Sequence, residues 1–340
     1  MKNTKKILAL LLALILVVGL AACQKNTDVN PSSTEDIVSD QTVNEPPKIT
    51  VNIAYLKGPT ALGMVHLMDA WDTFSNYSFE KFGSPDEVVA KITSGEVDIA
   101  AIPTNLAATL YNKTDGKVLI AALNTLGVLY IVTNGETVEK VADLKGKNLA
   151  ASGQGSTAEY ALNYILNANK LDPEKDVKIE YKAEHSELAA QLIAGSVKLA
   201  MLPEPFVTQV IAKNSDVKVA LDFTKEWNTA AEGKSDLTMG CIIVRKEFVE
   251  KNREAFDHFL EEYKASAAAA SDAAKTGEIS EKYNILPADV VQAAAHRCNI
   301  TFVEGDAMKT SVTNFLNVLF EANPKSIGGK MPGEDFFYKR

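Results

Sequence analysis

The feature that most constrains the fold is a short segment that occurs twice, one hundred residues apart. The first copy begins at Gly95 and reads GEVDIAAIPTNL, and the second begins at Gly195 and reads GSVKLAMLPEPF. Glycine, valine, aliphatic residues, alanine and proline occupy the same places in both. Each copy follows a helical pattern and is typical of a buried strand that ends in proline. Because proline lacks an N–H and has a fixed φ, it fits the first turn of a following helix.

This repeat predicts two similar α/β lobes, each containing a corner where a buried strand of a parallel sheet leads into a helix. Ligands of such sheets gather outside the carboxyl ends of the strands. Two copies of the corner therefore predict two binding edges, one in each lobe. Chance similarity between two strand–helix units is the alternative interpretation.

The first 23 residues are typical of an export signal. Lys2, Lys5 and Lys6 precede an unbroken apolar run over 7–18, and small residues follow it. The sequence Leu20-Ala21-Ala22-Cys23 resembles a bacterial lipobox, in which the cysteine receives a diacylglyceryl group and becomes the first residue after cleavage. We therefore predict a lipoprotein signal peptide over 1–23 and lipidation at Cys23. The alternatives are a signal peptide with an incidental cysteine, or an uncleaved anchor helix.

Residues 24–47 predict a disordered tether. They are mostly Asn, Asp, Ser, Thr, Gln and Glu, and they end in Pro46-Pro47. Such a segment cannot bury enough apolar surface to fold. An acyl chain followed by this tether would hold a folded domain close to a membrane without spanning it.

The charge of the chain bears on the class of partner. The formal net charge is −9, and the first 23 residues carry three lysines and no acid, so the remainder is near −12. An acidic chain without a basic stripe argues against binding to nucleic acid. A small anionic ligand stays compatible with this charge, because the local donors of a pocket decide what it binds.

Cysteines and histidines give no sign of a metal site. Cys241 and Cys298 could pair in an oxidising compartment, but each lies in an apolar segment, which favours buried free thiols. The four histidines, among them His185, are scattered on helical patterns and are interpreted as surface or core residues. We expect neither a metal nor a cofactor.

The predicted ligand contacts lie where strands lead into helices. A glycine turn at a helix start leaves backbone N–H groups free, which suits an anion or a carbonyl. Ser156 and Thr157 precede a predicted long helix and either cap it or donate to a ligand. The predicted first wall consists of Gly58, Pro59, Thr60, Pro103, Thr104 and Asn105, with Thr125 near a hinge, and the second of Ser152, Gln154, Gly155, Ser156, Thr157 and Glu204.

The order of strand and helix patterns makes the first lobe discontinuous. We predict an α/β fold in which each lobe is a mostly parallel sheet flanked by helices. The first lobe begins over 48–126, and the second covers 127–240 with hinge strands at both ends. Helices in 241–340, including an alanine-rich run through Ala274, then complete the first lobe.

Four features carry a resemblance to a known family. They are the segment 94–100, the Gly-Ser-Thr corner at 155–157, the Leu-Pro-Glu-Pro run at 202–205 and the lipobox. With them the chain resembles the solute-binding proteins of ABC importers, which have the type II periplasmic-binding-protein fold. It is most similar to the branch that handles nitrate, sulfonates, taurine and the pyrimidine precursors of thiamine, over about residues 48–325.

The resemblance implies a mechanism. Two lobes joined by two hinge strands close over a small-molecule solute, and the closed form docks on a membrane permease driven by a separate ATPase. Ligand contacts to both walls favour closure, because neither wall alone encloses the solute. The expected protein is a monomer without cofactors.

Two charged residues bear on the class of ligand. Lys57 is the only cation of the predicted corners, which argues against a tightly held dianion, although backbone N–H groups can serve instead of charges. If Glu204 faces the cleft, it would accept hydrogen bonds from an amino-bearing ligand such as an aminopyrimidine. Its alternative is a structural role at a helix start. Tyr130, Phe206 and Trp227 could stack on a ring, although core positions are the commoner use of such spacings.

Two other functions are compatible with parts of this pattern. One is an enzyme on the same fold, such as a chorismate dehydratase-like or pyrimidine-forming protein. The export signal argues against these cytoplasmic enzymes, and the sequence shows no nucleophile–base–orienter set. The other is a lipid-anchored sensor, which would bind a ligand to signal rather than to transport it.

Overall fold

The computed structural model describes residues 49–74 and 76–340. The predicted signal peptide, the predicted lipidation site Cys23 and the predicted tether lie outside these residues. Within them, no helix has the length and apolar character that a membrane span requires.

Strands and helices alternate along most of the described chain, and short 3₁₀ turns occur at Val141–Leu144 and near its end. The strands are β1 (Val51–Leu56), β2 (Tyr77–Phe82), β3 (Ile99–Pro103), β4 (Val118–Thr125), β5 (Leu129–Asn134), β6 (Asn148–Ser152), β7 (Lys178–Lys182), β8 (Leu199–Pro203), β9 (Val217–Asp222), β10 (Gly240–Arg245) and β11 (Ile300–Val303). The helices are α1 (Pro59–Leu62), α2 (Val65–Phe74), α3 (Pro85–Ser94), α4 (Thr104–Lys113), α5 (Thr157–Ala168), α6 (His185–Ile193), α7 (Phe206–Lys213), α8 (Phe223–Ala230), α9 (Lys246–Ala269), α10 (Ala273–Lys282), α11 (Ala288–Ala294) and α12 (Gly305–Ala322).

The first sheet has the strand order β11-β4-β10-β3-β1-β2. β1 pairs in parallel with β2 and β3, whereas β10 is antiparallel to both β3 and β4. β11 is antiparallel to β4. The strands β1, β2, β3 and β4 therefore run in the same direction, and their carboxyl ends meet at one edge of the sheet.

The second sheet has the strand order β7-β6-β8-β5-β9. β6 is parallel to β7 and β8, and β5 is antiparallel to β8 and β9. All its strands except β5 therefore run in one direction. Two mixed sheets of mostly parallel strands, each flanked by helices, confirm the predicted two-lobed α/β fold.

The chain passes between the two sheets twice. β4 ends at Thr125 in the first sheet, and β5 begins at Leu129 in the second. The chain returns between α8 and β10. Because Gly240 pairs with Pro103 and Thr125, it already belongs to the first sheet. The backbone of Met239 also bonds to Thr104 and Thr125, so the return to the first sheet is made just before β10.

The two copies of the repeat form equivalent corners. Gly95 and Gly195 have φ values of 84° and 73°, a left-handed conformation that glycine adopts without steric cost. Each glycine follows a helix and leads towards a buried strand, β3 in the first lobe and β8 in the second. The corners then differ. α4 begins at Thr104, directly after β3, whereas Glu204 and Pro205 stand between β8 and α7.

The core covers both faces of each sheet. Successive residues of a strand point to opposite faces. In β3, Ile99 and Ala101 accordingly belong to one cluster of buried hydrophobic side chains, and Ala100 and Ile102 belong to another. Both clusters draw residues from the two lobes. This explains why the strands of the repeat are apolar at nearly every position.

The alanine-rich run near the C-terminus is interrupted, contrary to the predicted helix through Ala274. α9 ends at Ala269, and α10 begins at Ala273. The carboxylate of Asp272 accepts a hydrogen bond from the backbone N–H of Lys275. An aspartate that caps a new helix start in this way favours a break over continuation.

The two described cysteines are free and buried. Cys241 lies in β10, and Cys298 lies just before β11. Burial raises the pKa of the Cys241 thiol well above its usual range, and it raises the pKa of Cys298 to about 12. Both residues therefore act as small hydrophobic side chains, as the sequence favours.

Candidate functional site

A cavity of about 70 Å³ lies between the lobes at the carboxyl ends of the strands. Both lobes contribute to it, through the ends of β1, β3 and β4 on one side and the end of β8 and the start of α5 on the other. This volume has room for a few water molecules or a small solute. The residues that line it are Leu56, Lys57, Pro59, Thr60, Pro103, Thr125, Val128, Leu129, Ser156, Thr157, Ala158, His185, Pro203 and Met239.

The turn after β1 supplies the cation of the cavity. Gly58 has a φ of 145°, which only glycine adopts easily, and it directs the chain from β1 into α1. Pro59 is the first residue of α1, and the Thr60 hydroxyl donates a hydrogen bond to the carbonyl of Leu56 at 3.4 Å. Lys57 is half-buried and lines the cavity. It is the only formally charged residue in the described lining.

The start of α5 forms part of the second wall. Ser156 is the N-cap residue, and its hydroxyl accepts a hydrogen bond from the N–H of Ala158 at 3.3 Å. It also donates to the carbonyl of Gly153 at 2.5 Å. The capping interpretation of Ser156 therefore holds in this structure, although Ser156 and Thr157 also line the cavity. Gln154 is exposed and does not line it.

Asn105 connects the first wall to the second. Its side-chain amide donates to the carbonyl of Gly155 at 3.2 Å and to that of Ser326 at 3.1 Å. Its side-chain oxygen accepts from the hydroxyl of Thr157 at 3.1 Å. The same hydroxyl accepts from the Asn105 backbone N–H at 3.4 Å. Three predicted ligand contacts, Asn105, Gly155 and Thr157, thus contact one another across the cleft.

His185 contributes a neutral imidazole to the cavity. Its Nδ1 lies 2.6 Å from the Ser152 hydroxyl, and its ring centre lies 5.5 Å from that of Phe206. Burial lowers the pKa of His185 to about 4. The ring is therefore uncharged at neutral pH, and its other nitrogen can donate or accept according to the tautomer. Ser152 itself is buried and does not line the cavity.

Glu204 does not line the cavity. Its side chain is fully buried, and its Oε1 lies 2.6 Å from Nη2 of Arg297. Its Oε2 accepts a hydrogen bond from the backbone N–H of Thr208, in the first turn of α7, at 3.0 Å. Arg297 also donates to the Thr208 hydroxyl at 2.7 Å. Burial raises the pKa of Glu204. This geometry fits the structural alternative for Glu204, because the arginine and the helix start already occupy the carboxylate.

Two buried threonine hydroxyls, one in the cavity lining and one next in sequence to a lining residue, lack a hydrogen-bond partner among the described residues. Thr125 and Thr238 are fully buried, and their hydroxyls have no hydrogen-bond partner among the described residues. Thr125 lines the cavity, and its carbonyl accepts from the N–H of Met239, the neighbour of Thr238. A buried hydroxyl without a partner is uncommon in native proteins. The Thr125 hydroxyl, which belongs to the cavity lining, is therefore available to a polar ligand or to water.

The structure brings only part of the predicted set to the cavity, namely Pro59, Thr60, Pro103, Thr125, Ser156 and Thr157. The other predicted residues that lie behind it or to one side are Gly58, Thr104, Asn105, Ser152, Gln154, Gly155 and Glu204. Eight further lining residues were not predicted as members of the site, although the charge of Lys57 was considered. They are Leu56, Lys57, Val128, Leu129, Ala158, His185, Pro203 and Met239. Leu56 and Pro203 end strands beside predicted corners, so the rule on strand ends could have found them.

The described part of the chain contains no candidate metal site, and the described cavity lining contains no aromatic ring on which a ligand could stack. The described residues include no group of three or more His, Cys, Asp or Glu residues that could hold a metal ion. Tyr130, Phe206 and Trp227 are buried, and the described lining of the cavity contains no Phe, Tyr or Trp. These aromatic residues belong to the core, which is the commoner use of such spacings.

Comparisons with known proteins agree with this geometry. A family model described as "ABC transporter, phosphonate, periplasmic substrate-binding protein" matches residues 78–282. YtlA of Bacillus subtilis (strain 168) is 22% identical over 219 residues, which cover 62% of this chain. The match spans 63% of the length of YtlA, less than two thirds of that protein.

Solved structures share the fold. The structure of an ABC transporter from Parabacteroides distasonis is 24% identical with a TM-score of 0.69, and the match covers 86% of this chain and 99% of that one. The periplasmic aliphatic sulphonate binding protein SsuA from Escherichia coli is 17% identical with a TM-score of 0.66, over 85% and 92% of the two chains. The periplasmic nitrate-binding protein NrtA from Synechocystis PCC 6803 is 15% identical with a TM-score of 0.61, over 83% and 85%.

These solved structures share the two-lobed α/β fold of the chain. The family model adds a match in sequence that extends over more than half of the chain and includes both copies of the repeat. The chain therefore belongs to the family of phosphonate-type periplasmic substrate-binding proteins of ABC transporters.

Proposed function

We propose that the protein is the solute-binding component of an ABC importer, which captures a small monovalent anion between its lobes and delivers it to a permease and its ATPase. One observation carries this proposal. The cavity is lined by one cation, Lys57, and by the start of α5, and no acidic residue of the described chain lines it.

The electrostatics of the cavity favour a single negative charge. The N-terminus of a helix carries a partial positive charge and directs N–H groups at an anion. α5 is long enough for this effect, and its first residues Ser156 and Thr157 line the cavity. Lys57 on the opposite wall adds one full charge. Nitrate, a sulfonate or a singly ionised phosphonate carries the matching charge, and the names of the family model and of two structural relatives describe phosphonate, sulphonate and nitrate binding.

The apolar part of the lining favours a short hydrocarbon group beside that charge. Leu56, Val128, Leu129 and Met239 line the cavity together with its prolines. An aminopyrimidine is the weaker candidate, because the described lining contains no carboxylate to accept hydrogen bonds from its amino group. Glu204 was the expected acceptor, and its carboxylate is occupied by Arg297 and by α7.

Binding without catalysis is part of the proposal, although Ser152 and His185 lie at the distance of a nucleophile and its base. A histidine whose pKa is about 4 is a weak base at neutral pH. Ser152 is buried and does not line the cavity. No carboxylate within the described chain forms a hydrogen bond with the imidazole, so the third member of a triad is missing there.

The N-terminal sequence supports a site of action at the membrane. We propose that a lipid on Cys23 anchors the protein at the extracytoplasmic face of the membrane as a monomer, with residues 24–47 as tether. Replacement of Cys23 by Ser should abolish labelling by radioactive palmitate and release the protein from the membrane fraction. Cys241→Ser, which alters a buried thiol, is the matched control and should keep the label. Labelling that persists in the Cys23 variant would refute lipidation at this residue.

A screen of solutes tests the proposed ligand class. Nitrate, methanesulfonate, taurine, methylphosphonate and an aminopyrimidine are added to the purified protein, and thermal unfolding is recorded. A solute at 100 times its dissociation constant should raise the free energy of unfolding by about 2.7 kcal/mol. We expect the monovalent anions to stabilise the protein and the aminopyrimidine to have no effect. An aminopyrimidine that stabilises it more than every anion would contradict the proposal.

A substitution then locates the bound anion. Lys57→Gln should weaken binding of the best anion by about tenfold or more, because a hydrogen bond to a charged group contributes about 1.5–3 kcal/mol. Lys117→Gln is the matched control, since it removes the same charge from the first lobe outside the cavity. Calorimetry measures both affinities. Equal losses in the two variants would indicate a general effect of net charge and not a contact in the cavity.

A further inference from the structure

Each corner of the repeat sends one polar side chain to the opposite lobe. Asn105 follows β3 of the first lobe and contacts Gly155 and Thr157 of the second. Glu204 follows β8 of the second lobe and pairs with Arg297, which precedes β11 of the first. Ligand contact was expected of both Asn105 and Glu204, and the structure engages both in contacts between lobes.

We propose that Asn105 and Glu204 are positioning residues that fasten the lobes on two sides of the cavity, so that they retain a solute without touching it. This inference rests on the proposed function for its effect on solute binding. The two contacts are named the neutral clasp (Asn105 with Gly155 and Thr157) and the charged clasp (Glu204 with Arg297).

The hydrogen-bonding capacity of Asn105 supports the neutral clasp. A carboxamide has two N–H donors, and those of Asn105 reach the carbonyls of Gly155 and Ser326. These two acceptors also fix which end of the amide is nitrogen. The oxygen accepts from Thr157, and the side chain is fully buried. Asn105 therefore has no free donor for a solute, whereas its contacts join α4 to the start of α5.

The burial of Glu204 supports the charged clasp. A buried carboxylate needs an opposite charge and hydrogen bonds to remain ionised. Glu204 obtains the charge from Arg297 and the hydrogen bond from Thr208 in its own lobe. Arg297 also lies over the ring of Tyr130 in β5, with its guanidinium carbon 6.0 Å from the ring centre. The arginine of the first lobe is thus held by three residues of the second.

Each clasp adjoins a residue that lines the cavity. Thr157, the partner of Asn105, lines it at the start of α5. Pro203, the neighbour of Glu204, lines it at the end of β8. Separation of the lobes at either clasp would open the cavity to water. A solute held between the walls would then leave faster, although every group that touches it is intact.

Distances between the lobes test the clasps without a ligand. Spin labels at Asp86→Cys in the first lobe and Glu187→Cys in the second report the separation of the lobes by pulsed electron paramagnetic resonance. Both positions are exposed. Asn105→Ala should move the distance distribution to longer values or broaden it, and so should Glu204→Gln combined with Arg297→Met, which removes both charges at similar volume.

Asn112→Ala is the matched control. Asn112 lies on the same helix, and its amide also donates to two carbonyls, those of Ile327 and Lys330, but all these residues belong to the first lobe. Its loss should leave the distances between the lobes unchanged. Distances in Asn105→Ala that equal those of the parent protein, or an equal change in Asn112→Ala, would overturn the neutral clasp. Unchanged distances in the double variant would overturn the charged clasp.

Solute kinetics separate a positioning role from contact. With methanesulfonate or nitrate as the probe, Asn105→Ala should release the anion about tenfold faster with little change in the association rate. The reason is that the variant loses the two side-chain hydrogen bonds that join the lobes, to Gly155 and Thr157. Faster release without any change of distance would mean that Asn105 contacts the solute, and would overturn the inference. If no anion binds the parent protein but the distances respond as expected, the proposed function fails and the clasps stand.

Discussion

The corner after β3 and the corner after β8 are built alike along the backbone but differ in their electrostatic contacts. Each follows a left-handed glycine, a buried strand and a proline. The first corner is neutral, because Asn105 bonds to a hydroxyl and to backbone carbonyls. The second corner contains a buried charge, because the carboxylate of Glu204 pairs with Arg297. The neutral imidazole of His185 packs against Phe206 at the same corner.

The repeat therefore sets where the chain turns in each lobe, but it does not set which contacts each turn makes. The positions of glycine and proline set the backbone, and one or two residues after the proline decide between neutral and ionic contacts. The energetic cost of disturbing the corners should differ accordingly. Substitutions at the second corner should have large effects that depend on pH, whereas those at the first should have small effects that do not.

The largest effect is expected for Arg297→Met. It leaves the fully buried carboxylate of Glu204 without its partner. Because the Arg297 side chain is itself one-third exposed, we expect a loss of up to about 3–5 kcal/mol of stability, the cost of breaking a fully buried pair. The loss should shrink at lower pH, because burial raises the pKa of Glu204 and the folded protein binds a proton before the unfolded chain does. Urea unfolding at several pH values measures the free energy.

The pair is isolated by a double-mutant cycle. Glu204→Gln added to Arg297→Met should recover most of the loss, because no buried charge remains. If Arg297→Met alone is as stable as the parent protein at neutral pH, the ion pair with Arg297 does not stabilise the carboxylate of Glu204. The two corners would then be alike in energy, and the comparison between them would be wrong.

A smaller effect is expected from His185. Burial lowers its folded-state pKa from 6.5 to about 4, so the unfolded chain takes up a proton first as the pH falls. The part of the free energy of unfolding that is linked to this titration is present in full above pH 6.5. It is lost as the pH falls from 6.5 to 4, by up to about 3 kcal/mol. His185→Gln should flatten the dependence of stability on pH in this interval. The same slope in the variant and the parent would assign the pH dependence to other groups.

The smallest effect is expected beside the first corner, for Ser156→Ala. It removes the cap of α5, which costs about 1 kcal/mol of stability, and the loss should be the same from pH 5 to pH 8 because no charge is involved. Ser156→Asn, which retains a capping oxygen, is the control and should restore most of the stability. A loss that changes with pH would show that a titratable group acts at the neutral corner too.

The backbone of the corners could be predicted because its signals are local. A strand that ends in proline, a glycine that ends a helix and a serine that caps one are each visible within a few residues. The two lobes, β3, β8 and the start of α5 follow from such signals. The discontinuous first lobe also follows, because strand and helix patterns continue after the second crossover.

The partners of the corner residues could not be predicted, since each is distant along the chain. Nothing near Glu204 indicates Arg297, and nothing near Asn105 indicates the carbonyl of Ser326. His185 follows the helical pattern of α6 like any core or surface residue. Only the packing of the two lobes brings it into the same cavity lining as Lys57.

The central claim is that a small anion is held between the two lobes, and hydrogen exchange tests it most directly. The backbone amides of 104–106 in the first lobe and of 156–158 in the second are followed with and without the best anion of the screen. If the anion contacts both lobes, both segments should gain protection together, whereas β7 at the edge of the second sheet should not. Protection confined to one lobe, or found away from these corners, would contradict binding between the lobes.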